Sequence, residues 1–209
     1  MPSETFFNLP EEKSYKILKA AKREFSRVPI SEAKVSNIVA EAGIARGSFY
    51  VYFDSIEELA FYMFKKAFDS PRIEMEEQIE ASHGDLIATF KSVFRKYLID
   101  VVESGDIVFY RNVFIELHSI KCHTHEKPHE KPRNQFDTVS AKTDMTLYDL
   151  PPEDIGYLGD LLFGVFMSII RHLFMTYQTD EKWVLDKILH EFDTKIAIIE
   201  NGARNKEEK

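Results

Sequence analysis

The sequence predicts an all-α protein in two parts, a small three-helix unit at the N-terminal end and a larger helical domain after it. Three observations carry this reading. Apolar residues recur at spacings of three and four along most of the 209 residues. Residues 35 to 59 read as helix, tight turn, helix and the start of a third helix. Near the C-terminal end, one segment is apolar on nearly every face, as a helix covered on two sides must be.

Residues 1 to 9 form a short arm whose Phe6, Phe7 and Leu9 are expected to tuck against the first domain. A first helix spans about 10 to 26, opened by Pro10, with Ile17, Leu18, Ala21 and Phe25 as its apolar stripe. Ile38, Val39 and Ala42 mark the next helix, and Gly43 stands where a left-handed residue would stop it. A second short helix, 46 to 52, places Phe49 and Phe53 inward and leaves Arg46, Gly47, Ser48, Tyr50 and Tyr52 for other faces. Ser55 with Glu58 spells a capping box that opens a long helix, expected to end near Pro71.

Further on, 72 to 82 reads as a charged helical piece, with a break at His83 and Gly84. Asp85 opens a helix carrying Phe90, Phe94, Tyr97 and Leu98, and 106 to 120 forms another. Residues 121 to 135 hold two prolines and no periodicity and read as a loop; 136 to 148 is expected to be a weakly patterned helix. The last two helices span about 153 to 177 and 180 to 201. The domains are therefore expected at 1–55 and 56–209.

The 35 to 59 unit makes chemical sense on DNA. A short helix that is small at its N-terminal end and rich in hydrogen-bonding groups can enter a major groove. Arg46 can reach a phosphate or a guanine edge, Gly47 lets the backbone approach, and Ser48 and the tyrosine hydroxyls can bond phosphate oxygens. The run AEAGIARGSFYVYFDSIEEL resembles the signature of the TetR family of bacterial transcriptional repressors. About ten type-restricted positions agree without a break, with three departures. Ala45 stands where the family commonly has a capping Ser, Val39 where it has Ala, and Ile56 where it has a basic residue.

The resemblance implies a DNA-contact set of Lys34, Ser36, Ala45, Arg46, Gly47, Ser48, Tyr50 and Tyr52. It also implies a homodimer formed through the last two helices, a palindromic operator, and release by a small-molecule effector, with no cofactor required. The effector pocket is expected to be apolar and aromatic, with candidates Phe94, Tyr97, Tyr110, Phe114, Phe163 and Met167 and inward-facing polar groups at Arg111, His118 and His172. Asn112 and Ser168 are further polar candidates.

Charge and composition fit this frame. The net charge of −8 is unevenly placed, because residues 1 to 55 carry eight Lys and Arg against seven Asp and Glu. Phosphate attraction must therefore come from local cations, chiefly Lys13, Lys16, Lys19, Lys22, Arg23, Lys34 and Arg46. A single cysteine, Cys122, and the lack of a basic start before an apolar run lead us to expect a cytoplasmic protein. The longest uncharged apolar run, 161 to 170, is too short to span a membrane.

Two alternatives arise from the residues. Cys122, His123, His125 and His129, with His118, hold the ligand types of a zinc, copper or haem site, though at no structural zinc spacing. Ala45, Ile56 and the weak charge of the DNA-reading unit would also suit a regulator acting through a protein partner. No paired carboxylates in an apolar setting, Ser/His/Asp motif or glycine-rich phosphate loop points to an enzyme.

Overall fold

The computed structural model describes residues 1–121, 137–176 and 181–204, without the side chains of 117–121, 137 and 181–183. Ten α-helices account for most of these residues. They are α1 (Glu4–Phe7), α2 (Glu11–Arg27), α3 (Val35–Ala42), α4 (Arg46–Tyr52), α5 (Ile56–Gln78), α6 (Leu86–Glu103), α7 (Ile107–Lys121), α8 (Asp137–Ser140), α9 (Ile155–Thr176) and α10 (Glu181–Ala203). Among the described residues there is no sheet, only one isolated antiparallel bridge between Tyr148 and Arg204.

The chain divides into two compact units. The first holds Met1–Phe68 and the described residues from Gly105 onward to 121; the second holds Asp69–Ser104 and the described residues from 137 on. The first is thus larger than the expected 1–55, since it takes in most of α5 and all of α7. The reason lies in two apolar residues of α7. Phe109 and Val113 are buried in the same core as Ile17, Phe25, Ile38 and Phe49, and the Phe109 ring stacks on Phe25 with centroids 6.4 Å apart. Asn112 of α7 also donates to the Phe25 carbonyl at 2.8 Å, so it satisfies an orphan acceptor at the end of α2.

Local sequence explains the joints. Gly43 has φ 67°, ψ 37° and its N–H bonds back to the Val39 carbonyl, so it is the left-handed stop expected of it. Gly84, at φ 78°, accepts the Asp144 N–H; a Cβ there would lie 2.6 Å from the Asp144 nitrogen, closer than any side chain tolerates. Asp85 caps α6 through the Ala88 N–H at 3.0 Å and accepts from Tyr148 Oη at 2.9 Å and Arg204 at 2.6 Å. One carboxylate therefore ties the start of α6 to the segment before α9 and to the end of α10.

Two expectations about elements fail for physical reasons. The long helix does not end at Pro71: α5 runs through it to Gln78 and absorbs the charged piece expected after it. Proline removes one intrahelical donor, and here the helix continues regardless. Residues 136 to 148 do not form one helix either. After α8 the chain turns, because Asp144 accepts from both the backbone and the hydroxyl of Thr146, at 2.9 and 2.7 Å, and so closes a separate 3₁₀ turn.

The second unit is built on α6, α9 and α10. Ile155, Leu158, Leu162, Phe166, Ile169 and Leu173 form the buried face of α9, as the sequence predicts. Phe94 and Phe166 meet at 4.5 Å, and Phe90 stacks on Phe94 at 4.2 Å. On the opposite face Tyr157, Leu161 and Met175 are each 59% exposed or more, with no cover among the described residues. The stretch Pro152–Thr176 is by length and composition apolar enough to cross a membrane, which the ten-residue uncharged run did not suggest. Its buried face is that of a core helix, which passes the same test.

Candidate nucleic-acid interface

The first unit positions α4 as an exposed helix on a buried frame. Phe49 is fully buried, with its ring 5.6 Å from Phe53, and these two side chains anchor α4 inward. Arg46, Gly47, Tyr50 and Val51 are exposed and Ser48 is half-buried. A Cβ built at Gly47 meets nothing within 4 Å, so the backbone there is open to approach. Lys34, Ser36 and Ala45 are exposed as well. Ala45 offers no side-chain cap to α4, and only its carbonyl accepts, from the Ser48 N–H at 2.9 Å.

Tyr52 corrects the sequence reading. Expected on an outer face, it is only 6% exposed, within the core beside Phe6, with Lys13 Nζ 5.8 Å above its ring. The spacing held the signal, since Tyr52 lies three residues after Phe49 and so falls on the same stripe. The arm explains the rest. Ser3 caps α1, its hydroxyl donates to the Val51 carbonyl at 2.7 Å, and its N–H donates to the Tyr52 carbonyl at 3.0 Å. Thus α1 closes the C-terminal end of α4 and buries Phe6, whereas Phe7 stays exposed.

The most consequential residue that sequence reasoning missed is Glu24. It is buried on α2, yet its carboxylate serves α3: Oε1 accepts from the Lys34 N–H and from Asn37 Nδ2, both at 2.9 Å. Arg27 adds two more bonds, at 2.9 and 2.8 Å. The Arg27 hydrogen bonds, with those from Lys34 and Asn37, outweigh the opposing effect of burial and hold the carboxyl at about 2. Glu24 falls on the apolar stripe of α2, seven residues after Ile17. An acid at an inward position was the available signal.

The capping box forms in altered form. Ser55 accepts the Glu58 N–H at 3.2 Å, but Glu58 reaches back to the Asp54 N–H at 2.6 Å instead of to Ser55. Its other oxygen meets the Met1 amine at 2.5 Å. Burial acts upward on Glu58, yet the amine and the Asp54 N–H carry its pKa below the usual range.

The expected effector residues do not come together in one unit. Phe94, Tyr97, Phe163, Met167 and His172 belong to the second unit, whereas Tyr110, Arg111 and Phe114 belong to the first. Arg111, expected to face inward, is exposed, and Asn112 serves α2 instead. His172 is half-buried with Nδ1 2.5 Å from Glu191 Oε2 on α10, and Ser168 accepts from Lys195 at 3.1 Å, so both tie α9 to α10. The His118 side chain and Cys122, His123, His125 and His129 lie outside the described residues. Among the described residues no group of three or more His, Cys, Asp or Glu could hold a metal ion.

A short exposed helix on a helix-turn-helix frame, joined in one chain to a separate helical unit, is the arrangement of a DNA-binding transcriptional regulator. Two family profiles agree. The profile for bacterial regulatory proteins of the tetR family matches residues 17–63, and that for the tetracyclin repressor-like C-terminal domain matches 85–203. This chain belongs to the TetR family of transcriptional regulators. The second match begins at Asp85 and ends at Ala203, one residue before the Arg204 that Asp85 binds.

Solved structures share the fold at low identity. SmeT, described as the repressor of the Stenotrophomonas maltophilia multidrug efflux pump SmeDEF, is 12% identical, with TM-score 0.66 and 94% of each chain covered. A putative TetR-family regulator from Mesorhizobium loti MAFF303099 is 12% identical with TM-score 0.62, covering 94% of this chain and 100% of that one. The fatty acid degradation regulator FadR from Bacillus halodurans is 14% identical with TM-score 0.60, covering 93% and 97%. No curated protein matches the chain by sequence.

Proposed function

We propose that this chain is a repressor that binds a palindromic operator as a homodimer and leaves it when a small hydrophobic or aromatic effector binds. The observation that carries the reading is the exposed, polar N-terminal end of α4, where Arg46, Gly47 and Tyr50 project from a helix anchored by Phe49. In this reading Arg46 reads a base edge or a phosphate, Ser48 and Tyr50 bond phosphate oxygens, and Lys34 and Ser36 hold the flank. Ala45 sets the start of the helix without contributing a side-chain bond.

Dimerisation is proposed through α9 and α10. The uncovered stripe of Tyr157, Leu161 and Met175 on α9, with Ile198 on α10 at 68% exposed, supports it, since an isologous contact would remove these surfaces from water. The aromatic layer of Phe94, Tyr97 and Phe166 with half-buried Phe163 and Met167 supports an apolar effector. Such an effector acts by binding the DNA-incompetent state better than the competent one. SmeT and FadR, repressor and regulator by description, support the same class of output.

The test is selection of genomic fragments by the purified protein at moderate salt, followed by sequencing. A recovered palindrome whose retention is lost in Arg46→Ala is the expected result. Recovery of no specific sequence overturns the proposal.

A further inference from the structure

The outer face of α2 holds a feature that the reading of DNA by α4 does not use. Tyr15, Lys19, Lys22, Arg23 and Arg27, with Asp106 at the start of α7, line an open basin of about 510 Å³. That volume lies within the range of small-molecule sites. No residue of α3 or α4 lines it. In a chain of net charge −8, four cations around one concavity are a local inversion of sign.

The cations are held loosely enough to serve a ligand. Arg23 meets Glu41 at 2.5 Å and Arg27 meets Glu24 at 2.8 Å, but the two guanidinium side chains remain 65% and 55% exposed. Each therefore keeps donors directed to solvent. Lys22 is paired with Asp106, and Lys19 lies 5.8 Å from the Tyr15 ring centroid. The Arg23–Glu41 pair is exposed, and such pairs are worth only about 0–1 kcal/mol, so exchanging the Glu41 carboxylate for a better anion costs little. Arg27 keeps its bonds to the buried Glu24 and adds only its solvent-facing donors. A phosphate group carries more charge and more acceptors than a carboxylate and matches the fork of a guanidinium.

We propose that this basin is a binding site for a small phosphate-bearing molecule, held by Lys19, Lys22, Arg23 and Arg27 along α2. Asp106 is the internal competitor, since it occupies Lys22 until the anion takes its place. The basin favours a compact anion over an extended duplex, because Asp106 lines it with the cations and Glu41 is paired with Arg23, and both carboxylates repel a continuous line of phosphates. The site stands apart from the repressor reading, and its first test uses no DNA.

The experiment is a titration of the full-length protein with inorganic pyrophosphate, followed by amide NMR shifts. Saturable shifts confined to residues 19–27 and 106 are expected. Lys19→Gln combined with Arg23→Gln should weaken binding at least tenfold while leaving the far-ultraviolet circular dichroism unchanged. Asp106→Asn should tighten it severalfold by removing the competitor. Shifts that are scattered or do not saturate overturn the proposal, as does an Asp106→Asn protein that binds no better. A second arm measures the salt dependence of binding to sheared duplex DNA. The sequence counts Lys19 and Arg23 among the cations that attract phosphate, but no residue of α3 or α4 lines their basin, and an unchanged slope in the Lys19/Arg23 double variant is expected. A reduced slope would make operator phosphates the occupant and overturn the small-molecule site.

Discussion

The two helices of the reading head are fixed at their N-termini in opposite ways. The start of α3 is held by a buried carboxylate from a neighbouring helix, since Glu24 accepts from both the Lys34 N–H and Asn37. The start of α4 has no side-chain cap, because Ala45 stands at that position. The supporting helix is thus pinned by electrostatics at its beginning, and the exposed helix by apolar packing of Phe49 and by closure of its far end through α1. The end of α4 proposed to face DNA is left unencumbered.

The largest expected effect would remove the packing side of this contrast. Phe49→Ala should cost about 3–5 kcal/mol, read as a lower denaturation midpoint of the full-length protein, and Tyr52→Ala should approach it because that ring is nearly as buried. A loss under 1 kcal/mol for both would mean that α4 is not held by its buried face. Next comes the electrostatic side. Glu24→Gln should cost about 2 kcal/mol at pH 7, because a neutral amide keeps the shape but loses the charge-assisted bonds.

The sign of the accompanying pH dependence is set by the folded pKa of Glu24, which at about 2 lies below its ordinary value of 4.5. The contribution is therefore present above about pH 4.5 and lost as pH falls toward 2, so the difference between wild type and Glu24→Gln should shrink across that window. A difference independent of pH would show that the carboxylate is not the source.

Smaller effects sharpen the comparison. Ala45→Ser should raise stability by about 0.5–1 kcal/mol by giving α4 the cap it lacks, measured by thermal unfolding. Tyr50→Phe should leave stability within about 0.5 kcal/mol and weaken DNA binding equally across sequences, which competition between unrelated duplexes would measure. Sequence-dependent weakening would move Tyr50 from backbone contact to base reading.

Periodicity and turn chemistry made much of this legible. The ranges of α2, α3, α4 and α6, the stop at Gly43 and the cap at Asp85 all stand as the sequence predicts, because local hydrogen bonding decides them. Partner choice was not legible. Nothing in the spacing of Phe109 and Val113 says that α7 packs on the reading head, and their neighbours Tyr110 and Phe114 suit an effector pocket equally well by sequence. Pro71 predicts a stop because a proline argues against a helix locally, while α5 as a whole continues through it. Glu24 and Tyr52 were legible in principle, each lying on an apolar stripe, but their polar character directed attention outward.

The economy of burial in α4 has a further consequence. Only Phe49 and Tyr52 of its seven residues are buried, while Arg46, Gly47, Tyr50 and Val51 are exposed. Substitutions at those four positions are nearly silent for folding, so a duplicated copy of the gene could drift to a new binding sequence without passing through an unfolded intermediate. Glu24 has no such latitude, because one carboxylate answers to Lys34, Asn37 and Arg27 together. Descendants of this protein would be expected to diverge fastest on the exposed face of α4 and slowest at the acid that holds its neighbour in place.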